Sequence, residues 1–493
     1  MRTTTSNFIL FALGACLTLD ASAQQKFLDL DSSNSAIKWE VQPKDVVKDA
    51  TSLFTPNFSS NGWVRAVVPG TVFTSYVEAG LEKDPNFGDN IYKVDKAKYE
   101  KEFWYRTAFK IPKTNSEKTW LNFEGINRKG EVYFNGQSLG KLDGFMQRGK
   151  FEISKLVRPN AENVLAVLVD YPKLPIPNLA SPTYISSSGW DWMPHVPGLL
   201  SGITDDVYLT TSNQVTLTDP WVRTDVPSLD RGEVSLQAQL DNHATTTKSG
   251  TLSGVITPGN IRFSVPVSIA AGQSRSVNLD KTAFPQFVIR NPKLWWPNGY
   301  GAPNLYRCEL KFTTEGKTSD LKTIPFGIKK YTYDTNGDVF HLHINGKPVF
   351  MKGGNWGMSE YMLRCRGEEY DLKVKLHRDM NFNMIRNWIG STTDEELYEA
   401  CDKYGILIWD DFWLNSHPNL PTDLEAFNNN SIEKIKRLRN HPSIAVWCGD
   451  NEGTPQPPLN DWLRRDVQLH DGGDRWYQPN SNTGALSGSG FWV

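Results

Sequence analysis

Apolar and polar positions change their rhythm twice along the chain. Up to about residue 211 they alternate in short runs, as in Phe103-Trp104-Tyr105-Arg106-Thr107-Ala108-Phe109-Lys110-Ile111 and Glu131-Val132-Tyr133-Phe134. Period-two runs closed by turn pairs such as Asn135-Gly136 predict half-buried strands. One small helix is expected after the Pro69-Gly70 turn. Many short strands at this spacing predict a jelly-roll-like β-sandwich over 24–214. A second stretch, 215–329, keeps the alternation in Val234–Leu240, Ile261–Ile269 and Leu305–Phe312 and shows no helical period. It predicts an immunoglobulin-like sandwich.

After about Tyr331 apolar strand-like runs alternate with amphipathic helical ones. Strands are predicted at Pro348–Lys352, Met384–Trp388, Ile406–Trp409 and Ile444–Trp447, and helices at Glu368–Met380, Asp394–Tyr404 and Leu424–Arg439. Such alternation implies a parallel sheet. Polar and aromatic residues cluster just after each strand, at the end where a (β/α)8 barrel builds its active site. Only four strands, and the start of a fifth, are legible over 330–493. The whole is therefore expected to be multidomain, β followed by α/β, with the first half of a barrel last. The chain is expected to be an N-terminal fragment of a longer protein.

Composition narrows the function classes. The chain has 493 residues and a net charge of −2. Nothing suggests a nucleic-acid partner or an electrostatic membrane surface. Seventeen Trp is a high count; such residues either fill large β cores or stack on sugar rings. Arg2, the apolar run Phe8–Leu19 and Ala21-Ser22-Ala23 read as a cleavable export signal over 1–23, implying a secreted or periplasmic protein. Lipidation at Cys16 is the alternative. No later stretch is apolar enough to span a bilayer. Cys308, Cys365, Cys401 and Cys448 have no metal-ligand or disulfide-scaffold spacing and read as buried thiols. Neither a metal site nor a cofactor fingerprint is found.

The sharpest local signal is Asn440-His441-Pro442-Ser443 leading through an apolar run to Asn451-Glu452. A carboxyl group at the end of a barrel strand, walled by Trp, can have its pKa raised and act as a general acid. A glutamate after a strand is more often just a solvated loop acid, so the wider pattern has to decide.

That pattern includes Val68-Pro69-Gly70-Thr71-Val72, Leu121-Asn122-Phe123-Glu124-Gly125, Gly189-Trp190-Asp191-Trp192-Met193-Pro194 and Leu294-Trp295-Trp296-Pro297-Asn298-Gly299. Lys352-Gly353-Gly354-Asn355-Trp356, Asn383-Met384-Ile385-Arg386 and Cys401-Asp402-Lys403-Tyr404-Gly405 follow. In this order the motifs resemble glycoside hydrolase family 2, in particular its β-mannosidase branch with the neighbouring exo-β-D-glucosaminidases. The resemblance implies that Glu452 is the acid/base and Asn451 contacts the sugar at its 2-position. It implies that Arg386 lies near the nucleophile, and that Trp190, Asp191 and Trp192 reach from the sandwich into the barrel mouth. Trp356 and Trp413 would wall the pocket. Arg386 could instead be a core ion-pair partner, and Trp192 could instead pack a domain interface. Trp295-Trp296-Pro297 reads as interdomain packing.

A retaining mechanism on a β-linked oligosaccharide is implied, without cofactor, with the nucleophile expected beyond residue 493 and this chain alone expected to be inactive. The alternatives are an exo-β-D-glucosaminidase and a non-catalytic carbohydrate-binding protein. Exo or endo action and oligomeric state are not legible.

Overall fold

The computed structural model describes residues 26–171, 194–335, 340–357, 362–415, 420–483 and 486–487. The export signal lies outside them. The first unit packs two antiparallel sheets face to face. One has six strands, in the order Val64–Arg65, Glu40–Pro43, Phe103–Lys110, Glu162–Val169, Ile126–Phe134 and Gln137–Gly144. The other has four: Lys26–Asp29, Val207–Ser212, Lys118–Phe123 and Gly149–Glu152. Alternate residues of both sheets (Val41, Tyr105, Val167; Leu121, Phe123, Leu209) meet in one core. The expected helix forms at Val72–Glu78, where the Thr71 hydroxyl accepts the Thr74 N–H at 3.0 Å as an N-cap.

The second unit is also a sandwich. Val215–Ser228, Arg231–Asn242 and Ser274–Leu279 form one sheet, joined by Val288–Arg290; Ile261–Ile269, Lys248–Thr257, Tyr306–Thr314 and Lys317–Phe326 form the other. Along Tyr306–Thr314 buried and exposed residues alternate as the pattern requires.

The third unit opens with an antiparallel ribbon, Tyr331–Asp334, His341–Ile344 and Lys347–Val349. Here the expected first barrel strand at Pro348–Lys352 is corrected. Asn345 and Gly346 both take positive φ, 50° and 78°, which makes the tight turn that folds Lys347–Val349 back on His341–Ile344. The parallel sheet starts later. Its strands are β1 (Gly353–Trp356), β2 (Met384–Asn387), β3 (Leu407–Asp411), β4 (Ile444–Asp450) and β5 (Trp476–Asn480), paired in that order. Between them run α1 (Glu368–Asp379), α2 (Glu395–Tyr404), α3 (Leu424–Leu438) and α4 (Leu459–His470).

Register fixes which face each side chain takes. Trp356, Asn387, Asp410, Trp447 and Tyr477 are register partners in one row. That row faces the helices, where Trp447 and Tyr477 join Leu397, Phe427, Ile435, Leu438 and Leu463 in one core. Asn355, Arg386, Trp409, Val446 and Trp476 form the neighbouring row, on the opposite face.

The units are locked together. Trp295 of the second sandwich is fully buried and donates its indole N–H to the Asp402 carbonyl at 2.9 Å. Gly405 ends α2 at φ 72°, and a Cβ there would meet the Trp296 carbonyl at 2.9 Å. From the first sandwich, Arg148 pairs with Glu433 of α3 at 2.7 Å, and the Met146 N–H donates to Asn430 at 2.9 Å. The four described cysteines are buried. No described helix is long and apolar enough to cross a membrane.

Candidate active site

The candidate residues converge at the C-terminal ends of β2, β3 and β4. Arg386, near the end of β2, is 4% exposed. Its Nη2 donates to Asp411 Oδ2 at 2.6 Å, and its Nε reaches the same carboxylate at 3.1 and 3.2 Å. The guanidinium also lies over the Trp409 ring, 5.4 Å from its centre. Burial works against the Arg386 charge, but the Asp411 carboxylate overcomes it and holds the pKa up. Asp411 is itself fully buried and accepts a further bond from the Ile389 N–H at 2.8 Å. Fork-on-carboxylate geometry of this kind holds both groups rigidly.

Arg386 carries that rigidity to the end of β4. Its Nη2 donates to Asn451 Oδ1 at 2.9 Å, and Asn451 Nδ2 donates to Asn415 Oδ1 at 2.6 Å. The Asn451 N–H also donates to the Leu414 carbonyl at 3.2 Å. The Asn451 amide is thereby oriented on both of its ends. Glu452 comes next, with an exposed side chain and a left-handed backbone, φ 62°. That region is costly for a non-glycine residue and is found where surroundings enforce it. Here the Glu452 N–H is tied to Ser481 Oγ, just past β5, at 3.0 Å.

Asp410 differs from its neighbour. It faces the helices, where Lys434 Nζ donates at 2.7 Å, Tyr398 OH at 2.9 Å and Asn387 Nδ2 at 3.0 Å. Burial pushes its carboxyl up, against the pull of Lys434. Lys434 also donates to the Asp411 carbonyl at 2.7 Å. This second buried pair fastens α3 to the end of β3.

The structure thus brings Glu452, Asn451 and Arg386 together. Trp356 and Trp413, expected to wall a pocket, lie in the helix-facing layer instead. Trp356 is 8% exposed, packs on Tyr370 and His377, and donates to Thr392 Oγ1 at 3.1 Å. Trp413 is fully buried against Phe145 and Phe427. Trp190, Asp191 and Trp192 lie outside the described residues. Asn415 and Ser481 were not anticipated; neither sits in a motif, and each acts through a contact between loops that only the fold creates. Among the described residues no group of three His, Cys, Asp or Glu could hold a metal ion.

Three family models match the chain in sequence. Residues 39–204 match the glycosyl hydrolase 2 galactose-binding domain-like unit, 215–329 the glycosyl hydrolases family 2 domain, and 338–465 the family's TIM barrel domain. The chain belongs to glycoside hydrolase family 2. It is 32% identical over 465 residues to a mannosylglycoprotein endo-beta-mannosidase of Lilium longiflorum, covering 85% of this chain and 48% of that protein. To an exo-beta-D-glucosaminidase of Streptomyces avermitilis it is 28% identical, over 87% of this chain and 48% of that protein. The crystal structure of a beta-D-mannosidase from Dictyoglomus thermophilum superposes with a TM-score of 0.74 at 27% identity, covering 90% of this chain and 57% of that one. The family 2 chain therefore spans about half the length of the curated relatives it matches.

Proposed function

We propose that this family 2 chain carries the acid/base half of a retaining β-glycosidase site that takes β-mannosides. Glu452 would protonate the leaving glycosidic oxygen and then, as a carboxylate, take a proton from the attacking water. Asn451 would meet the sugar beside the reacting carbon. The observation that carries the reading is Glu452 pinned by Ser481 in a left-handed conformation, directly after an Asn451 amide oriented by Arg386 and Asn415.

A retaining site needs a second carboxylate about 5–5.5 Å from the first. Asp411 is a poor candidate for that nucleophile: Arg386 and the Ile389 N–H already occupy its oxygens. Its role in this reading is to position Arg386.

The identity to the lily endo-beta-mannosidase supports mannose. The glucosaminidase relative supports a second reading, in which the sugar carries an ammonium at C2. The neutral Asn451, with a guanidinium behind it, favours a hydroxyl there over a cation. The discriminating experiment is turnover of p-nitrophenyl β-D-mannoside and β-D-glucosaminide by the protein expressed from its full gene. Mannoside cleavage is expected. Cleavage of the glucosaminide alone would move the reading to the second sugar, and cleavage of neither would leave an endo-acting enzyme or a carbohydrate-binding protein.

A further inference from the structure

A cavity of about 510 Å³ lies where the second sandwich meets the antiparallel ribbon and the turn after α4. Arg223, Glu233 and Lys281 line it from the sandwich, Tyr331 and Tyr333 from the ribbon, and Asp474 from the turn. Most of its charges are matched in pairs, and the Asp280 carboxylate at its edge accepts the Thr282 N–H at 2.8 Å and the Ala283 N–H at 3.4 Å. Arg223 holds Asp474 at 2.6 Å, Lys330 holds Asp225 at 2.7 Å, and Lys281 holds Glu233.

Lys329, which also lines the cavity, is left over. It is 7% exposed, and among the described residues its amine has neither an ion pair nor a hydrogen-bond partner. Its one favourable contact as a cation is the Tyr331 ring face, 4.8 Å to the centre. A buried charge with no counter-ion is costly, so the amine tends to give up its proton. Burial is the main cause. The guanidiniums of Arg475 and Arg223 reinforce it, Asp474 and Asp471 oppose it, and the pKa is held down to about 7. Such an amine is about half neutral at pH 7, against roughly four in ten thousand for an ordinary lysine. A neutral amine beside open space is a nucleophile.

We propose that Lys329 is a carbonyl-reactive lysine, and that its cavity takes a small aldehyde, including the open chain of a reducing sugar, as a covalent ligand. The Nζ lone pair attacks the carbonyl carbon to give a carbinolamine. Loss of that hydroxyl as water, with the protons coming from nitrogen, leaves the C=N bond of an imine. No oxidant or cofactor enters the step. The proposal is independent of the glycosidase reading.

The test is to treat the folded protein with glycolaldehyde and cyanoborohydride, which reduces the imine to a stable secondary amine, and to map labelled lysines by peptide mass spectrometry over time. At pH 7 Lys329 is expected to label at least about tenfold faster than the largely exposed Lys141, its neutral fraction outweighing its restricted access. Its rate should level off above about pH 8, while that of an ordinary exposed lysine keeps climbing. Lys329→Met should abolish this label and leave the melting temperature unchanged or raised, because it deletes an uncompensated buried amine. The proposal is overturned if Lys329 labels no faster than Lys141, if it labels only once the protein unfolds, or if Lys329→Met destabilises the fold.

Discussion

Removing the Asp411 carboxylate should loosen the ends of β2 to β4 together. In the native chain Asp411 is fully buried and Arg386 is 4% exposed, joined at 2.6 Å. Asp411→Ala leaves the guanidinium in place without its counter-ion, which costs about 3–5 kcal/mol for a buried pair. The Ile389 N–H loses its acceptor as well, at about 1 kcal/mol or more. Asn451 Oδ1, at 2.9 Å from Arg386 Nη2, recovers part of this, so a net loss of about 3–5 kcal/mol is expected. Replacing both partners, with Arg386→Met and Asp411→Leu, removes both charges and should come within about 2 kcal/mol of the native protein. Because the described residues form several separate hydrophobic cores, a single melting curve does not assign the loss to β2, β3 and β4. Hydrogen exchange resolved to the peptides that carry β2, β3 and β4 reads the local free energy directly. A loss under about 1 kcal/mol for Asp411→Ala, or two changes that add within about 0.5 kcal/mol, would refute the idea of a coupled buried pair at this site.

Two further outcomes are expected. Glu452→Gly should stabilise the fold by about 1 kcal/mol while removing the proposed chemistry, because glycine accepts φ 62° without strain; thermal denaturation checks it, and a loss of stability would show that the backbone there is unstrained. His441 sits between Asp402 at 2.6 Å and Glu395 at 3.1 Å, which overcome the cost of burial and hold its pKa up to about 10. A raised pKa contributes stability that is complete below the unfolded value near 6.5 and is lost as pH rises through 10. Glu395 is 45% exposed, so the contribution is screened. Stability measured at pH 7 and pH 9 should fall more steeply for the native protein than for His441→Gln. Lys329, with its lowered pKa, acts in the opposite direction over the same range, so the difference between the two proteins is what isolates His441.

How far the sequence could be read follows from what periodicity encodes. Alternation in Tyr306–Thr314 reports burial on one face directly, whereas Phe103–Lys110, inside its sheet, is buried on both faces, and the first sandwich was legible from its many short strands and turn pairs instead. The continuous apolar runs behind β2, β3 and β4 marked a parallel sheet, buried on both sides. A short run cannot say which strand it pairs with, which is why Pro348 was placed in the barrel instead of the ribbon. β5 was hardly visible because Trp476-Tyr477-Gln478-Pro479-Asn480 mixes polar residues and a proline into the strand.

The site divides along the same line. The placement of Arg386, Asn451 and Glu452 at neighbouring strand ends was legible because motifs carry them there. Motif position does not give the register of Trp356, and a one-residue step moves a side chain to the other face of a sheet; Trp413 follows the end of β3, and only the packing of Phe145 and Phe427 on it fixes where it goes. The contacts of Asn415 with Asn451 and of Ser481 with Glu452 join loops 36 and 29 residues apart. Spacing along the chain carries no trace of them.

The most direct test of Glu452 as the acid/base compares leaving groups in the protein expressed from its full gene. Glu452→Gln should lower turnover of a methyl or sugar β-mannoside, whose leaving oxygen must be protonated, by about 10²–10⁴. With 2,4-dinitrophenyl β-D-mannoside, whose leaving group departs without a proton, the first burst of product should persist and only the later hydrolysis should slow. Equal loss on both substrates, or no loss on either, would contradict the assignment.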